Sequence, residues 1–198
     1  MSMMRGATLW FTGLPSSGKS TIARAVFHVL LERGYAVELL DGAEVRESLS
    51  RGLGFAKEDR EEHIRRMGYV AKLLSRNGVI AICAAVSPYK ATRDEVRLNT
   101  TNFIEIYVEC PVQVAAKRDT EGWYERARRG EVEEFTGVNA PYEPPTEAEV
   151  HIRSDLESVA DAEAKVMRAL EETRLIPRIT DQRRQEEMQR RLAALGFI

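Results

Sequence analysis

Residues 9–34 read LWFTGLPSSGKSTIARAVFHVLLERG. An apolar run, Leu9–Thr12, gives way to small residues, one lysine and two hydroxyls. A helical pattern follows, with Ile22, Val26, Val29 and Leu30 on one face. Inside the stretch, GLPSSGKS is G-x-x-x-x-G-K-S, with Gly13, Gly18, Lys19 and Ser20 in the required places, a strand before it and a helix after it. Glycines let such a loop curl until its N–H groups point inward at phosphate oxygens, and the helix N-terminus adds partial positive charge. Leu14, Pro15, Ser16 and Ser17 complete the cradle. Lys19 brings a full charge to the β/γ phosphates, Ser20 offers a hydroxyl to Mg²⁺, and Thr21 adds a contact to a neighbouring phosphate. The loop is read as the seat of a nucleoside triphosphate, ATP.

Working outward, apolar runs recur at 36–40, 79–84, 103–109 and, less clearly, 150–152, with a second helical pattern over 57–76 carrying Ile64, Met67, Val70, Ala71 and Leu74. Gly34 and Gly78 stand just past the ends of the two helices. This alternation predicts an α/β fold, a parallel sheet with helices on both faces. One P-loop kinase-type domain is expected over 1–177, with a mobile lid loop at about 130–147 where Pro141, Pro144 and Pro145 fall, and a charged helical tail over 178–198.

With 198 residues, 43% hydrophobic, 30% charged and a net charge of −2, the chain has the composition of an ordinary globular domain and no global pull toward nucleic acid or an anionic membrane. No run approaches the roughly 20 apolar residues of a membrane span. The N-terminus lacks an export-type apolar segment, and the two cysteines, Cys83 and Cys110, read as reduced thiols, so the expectation is a cytoplasmic protein.

The loop by itself fits an ATPase, a GTPase or a small-molecule kinase. No Asn-Lys-x-Asp guanine signature is present, and the chain is short for a mechanical ATPase. A kinase needs an acceptor site facing the γ-phosphate, and candidates exist. Asp41 ends the second strand, at the edge where parallel sheets bind ligands, able to meet Mg²⁺ or take a proton from a hydroxyl. Arg46 and Arg60 can grip an anion, and Phe55, between Gly54 and a helix start, offers a stacking face outside the core. Lys90 and Arg93 are read as anion contacts or as the solvated start of a helix.

Over roughly residues 5–175 the chain resembles the adenylylsulfate (APS) kinase family. The resemblance rests on FTGLPSSGKST, DGAEVR, GLGF…DREEHIRRMG, SPYKATRDEVR, FIEIYVECPVQVAAKRD, GWYERARRGEV and FTGVNAPYEPP, in that order. It implies a P-loop kinase fold, dependence on ATP and Mg²⁺, and transfer of the γ-phosphoryl group to the 3′-hydroxyl of APS, giving PAPS and ADP. It also implies a homodimer and a place in sulfate assimilation, with no nucleic-acid or membrane partner. By matching position, Phe55 and Phe135 would sandwich the APS adenine, Arg46 and Arg60 would hold its phosphosulfate, and His63 would face the substrate. Asp41 would sit at the reacting hydroxyl and the metal, and Arg118 near the ATP base. Ser87 falls where the family has been described as carrying a phosphoserine. The residues themselves suggest a strand-end turn or a hydroxyl contact to substrate, with no activating base. The chain departs from the family pattern at Ala43, where an aspartate stands, at His63 for an asparagine, and at Glu133 for a lysine before the loop phenylalanine. These differences keep two alternatives open: a kinase for another anionic nucleotide-like acceptor, or a catalytically weak nucleotide-binding regulatory module.

Overall fold

The computed structural model describes residues 6–178, together with residues 189 and 193. The tail expected over 178–198 otherwise lies outside the described residues. Five strands, β1 (Ala7–Thr12), β2 (Val37–Asp41), β3 (Ile80–Ala84), β4 (Phe103–Glu109) and β5 (Val150–Arg153), form one sheet in the order β2-β3-β1-β4-β5. Every neighbouring pair is parallel, with Leu9 opposite Ile82 on one side and Ile104 on the other. The helices are α1 (Lys19–Glu32), α2 (Gly42–Glu47), α3 (Lys57–Arg76), α4 (Lys90–Asn99), α5 (Val112–Arg118), α6 (Trp123–Arg128) and α7 (Val159–Glu172).

All six β1 residues are buried, as a central parallel strand covered on both faces requires. Leu9 and Phe11 pack with Ile22, Val26 and Leu30 of α1 and Val166 and Leu170 of α7. Trp10, pointing the other way, packs with Ala81, Cys83, Ile64, Met67 and Ala71, which puts α3 on the opposite face. Both α1 and α3 end as their glycines predict: Gly34 and Gly78 sit at φ 80° and 83°, and the amides of Tyr35 and Val79 reach back to the carbonyls of Leu30 and Leu74. Helix α7 opens with a reciprocal capping box between Ser158 and Asp161. The winding reverses beside β1, so the C-terminal ends of β1, β2 and β3 open onto one crevice.

Residues 131–149 carry no helix or strand, with only an isolated bridge between Thr136 and Ala140. The sequence predicts one mobile loop; in the structure its first half is tied through Arg60 to Glu134 O and Thr136 Oγ1. Its second half is fastened. Glu143 N donates to Pro88 O at 2.9 Å, Glu143 O accepts from Arg93 Nη2 at 2.8 Å, and Glu105 N donates to Glu149 Oε2 at 2.6 Å. The Thr12 hydroxyl donates to Val86 O at 2.8 Å, which leaves it accepting from the Tyr142 hydroxyl at 3.0 Å. The reading of Arg93 as an anion contact or a solvated residue is corrected. It is 2% exposed, and its guanidinium reaches Glu105 Oε1 at 2.8 Å and Ser87 O at 2.7 Å besides Glu143. A buried guanidinium needs such partners for its donors. Lys90 is exposed and pairs with Asp94 one turn on.

Candidate active site

The loop after β1 is held in a shape that side chains tolerate poorly. Gly13 has φ 153°, and a Cβ there would fall 2.4 Å from Val108 O. Ser16 and Gly18 take φ 57° and 97°, left-handed conformations of the kind from which anion-binding loops are built. Ser17 N closes the loop onto Leu14 O at 3.2 Å. Lys19 opens α1 and folds back onto the loop, with Nζ donating to Leu14 O at 2.7 Å. Burial lowers its pKa from 10.5 to about 8, an effect that Asp41 and then Cys110 partly offset.

Two cavities meet at Lys19 and Ser20, which line both. One, of about 510 Å³, is lined by Ser16, Gly18, Thr21, Arg118, Ser154 and Ser158 among others. Arg118 is held there by Ser154, donating to its Oγ at 3.2 Å and its carbonyl at 2.7 Å. The other, of about 380 Å³, brings together every residue expected on the acceptor side: Asp41, Arg46, Phe55, Arg60, His63, Ser87 and Phe135. Pro15 joins this second wall. Gly13, Leu14 and Ser17 shape the loop without lining either cavity.

Within the second cavity, Asp41 ends β2 and caps α2, its Oδ1 accepting from Ala43 N at 3.1 Å and its Oδ2 from Arg24 at 3.4 Å. Arg46 and Arg60 gather on Phe55, their guanidinium carbons 4.7 and 5.4 Å from its ring centre. Burial lowers the pKa of Arg46, and the adjacent Arg60 lowers it further, so an anion between them would relieve both penalties. Phe55 is 52% exposed, outside the core as its neighbours predict. Arg60 also binds the loop. Its Nε donates to Phe55 O at 2.6 Å, its Nη1 to Thr136 Oγ1 at 3.0 Å, and its Nη2 to Glu134 O. Phe135 turns its ring against Tyr124, centres 4.9 Å apart at 81°.

His63 is buried, its Nδ1 2.9 Å from Ser50 Oγ, and burial together with Arg46 and Arg66 lowers its pKa to about 4. It is therefore a neutral hydrogen-bonding group near pH 7. Ser87 is buried at φ 39°. Its Oγ accepts from Trp10 Nε1 at 3.1 Å and donates to Ala85 O at 3.4 Å, and among the described residues no base is bonded to it. Among the wall residues to which the sequence reading gave no role are Trp123 and Thr136. Both lie in the segments GWYERARRGEV and FTGVNAPYEPP that carry the family resemblance, which was the signal available for them.

A parallel sheet whose first strand ends in a phosphate cradle, with a second, cationic and aromatic cavity across a shared lysine, defines a P-loop kinase. Residues 5–153 match the family model for adenylylsulphate kinase, and the chain belongs to that family. It is 50% identical over 168 residues to the adenylyl-sulfate kinase of Rippkaea orientalis, covering 85% of this chain and 93% of that one. The adenylyl-sulfate kinase of Chloroflexus aurantiacus is 47% identical over 177 residues, covering 89% and 95%. Among solved structures, the Mycobacterium tuberculosis APS kinase CysC in complex with AMPPNP and APS superposes with a TM-score of 0.81 at 37% identity, over 84% of this chain and 98% of that one. A gluconokinase from Sinorhizobium meliloti, 16% identical with a TM-score of 0.56, shares the fold alone.

Proposed function

We propose that this chain transfers the γ-phosphoryl group of ATP to the 3′-hydroxyl of APS, releasing PAPS and ADP. The carrying observation is the pair of cavities divided by Lys19 and Ser20, one cradling phosphates, the other presenting aromatic faces and two guanidinium groups. The first cavity seats ATP, with the cradle N–H groups and Lys19 on its phosphates and Arg118 beside its base. The second seats APS. Phe55 and Phe135 face the adenine, while Arg46 and Arg60 hold the phosphosulfate. His63 donates or accepts a hydrogen bond without adding charge. Seating both molecules against one lysine converts a bimolecular encounter into an oriented one.

Among the described residues no three His, Cys, Asp or Glu side chains gather into a metal cage. Ser20 and Asp41 nevertheless share the second cavity, and this pair of oxygen donors fits a Mg²⁺ that draws its remaining ligands from phosphates and water. When bound there, Mg²⁺ would neutralise charge on the transferring phosphate. Asp41, held by Ala43 N and Arg24, is placed to take the proton of the attacking hydroxyl as the new O–P bond forms and the bond to ADP breaks. Ser87 shapes the wall and carries no phosphate, because its hydroxyl is already engaged on both sides and direct in-line transfer suffices.

Residues 130–139 act as the lid, tied to the acceptor cavity through Arg60. The working unit is a homodimer in the cytoplasm. Two unpaired buried cysteines support the latter, since an oxidising compartment favours disulfides. Incubation with ATP, Mg²⁺ and APS should yield PAPS, identified by mass, with AMP giving no product. Absence of PAPS, or equal phosphorylation of AMP, would overturn the assignment.

A further inference from the structure

Trp123 lines the acceptor cavity together with Phe55, Phe135 and Pro15, and nothing in the phosphate or anion chemistry accounts for it. We propose that Trp123 is a third aromatic wall for the purine of the acceptor, and so a residue that sets acceptor specificity; this rests on the proposed APS kinase activity.

The ring is positioned by the elements around it. Gly122 enters α6 in the left-handed region at φ 74°, and Asp119 Oδ2 accepts from Tyr124 N at 2.8 Å. Tyr124 is 1% exposed, its hydroxyl donating to Pro15 O at 2.9 Å and its ring packing on Phe135. One buried tyrosine thus joins the phosphate loop to the lid, and the residue before it lines the cavity. The indole N–H donates to the Glu121 carboxylate, and the guanidinium carbon of Arg126 stands 4.7 Å from the ring centre. The one polar atom of the indole is satisfied and its orientation is braced. What remains for the cavity is flat apolar surface, which suits a heterocyclic base and offers nothing to a phosphosulfate.

The chain has two tryptophans, and Trp10 is fully buried in the core. This makes a two-part test available. In Trp123→Leu the KM for APS should rise roughly fivefold, the scale of one lost aromatic contact, with a smaller change in the KM for ATP. APS added to the wild-type protein with ADP should change tryptophan emission, and Trp123→Phe should abolish that change. An unchanged KM for APS, equal rises for APS and ATP, or an emission change that survives Trp123→Phe would each overturn the proposal. Wild-type protein that makes no PAPS would overturn the acceptor assignment and this wall with it. Normal wild-type turnover with a normal Trp123→Leu variant would overturn the wall alone.

Discussion

Lys19 meets two opposed demands: it must be charged to hold phosphate, yet it is buried where charge is costly. Its pKa of about 8 in the free fold lies below the ordinary 10.5, so between those values the unfolded chain binds the proton that the fold releases. Stability contributed at this residue therefore rises with pH across that window. Catalysis should show the reverse trend. The ratio kcat/KM for ATP should fall above pH 8, approaching tenfold per unit, while kcat at saturating ATP holds to higher pH because bound phosphates restore the proton. A kcat/KM that stays flat to pH 10 would show that the ammonium is not the titrating group. Lys19→Ala should reduce transfer to background in the same assay. The lysine and its glycines were legible because the motif fixes both residue type and backbone shape. Ala43 was legible as a departure, but its consequence was not: its backbone N–H, which any residue supplies, is what orients Asp41.

At the level of elements, α4 and the segment after Pro141 behave as a clamp closed on Arg93. The guanidinium joins Glu105 on β4, the turn at Ser87 and the backbone at Glu143. Arg93→Ala would leave a buried carboxylate and two carbonyls without this partner, and should lower unfolding free energy by about 3–5 kcal/mol in urea titration. Arg93→Lys should recover only part of the loss, because an ammonium cannot span all three sites. A loss under 1 kcal/mol would mean that the clamp is ornamental to stability. The sequence hid this arrangement for a physical reason. An arginine at the start of a helix normally faces water, and only the tertiary position of residues 142–149 buries this one. Three prolines announced the absence of regular structure correctly, yet proline content says nothing about side-chain anchoring. Helices α1 and α3 were readable because their burial is periodic along the chain itself, and the central strands because each is a short, continuous apolar run.

For the molecule as a whole, both apolar layers lie, among the described residues, within 7–176, Ile176 being the last such member of the larger one. Residues 1–177 should accordingly fold alone, melting cooperatively by circular dichroism within a few degrees of the full chain. A non-cooperative melt would assign the remaining segment a part in the core. Asp41, Arg46, Phe55 and Arg60 could be put on the acceptor side from the residues themselves, but His63 and Phe135 only from the family resemblance, because strand order decides which loops become neighbours. The shared Lys19–Ser20 partition has a practical corollary. A single molecule carrying two adenosines on one polyphosphate tether could occupy both chambers at once. Its second half would then bind at a local concentration set by the tether rather than by the solution, so its grip should exceed that of either half by orders of magnitude.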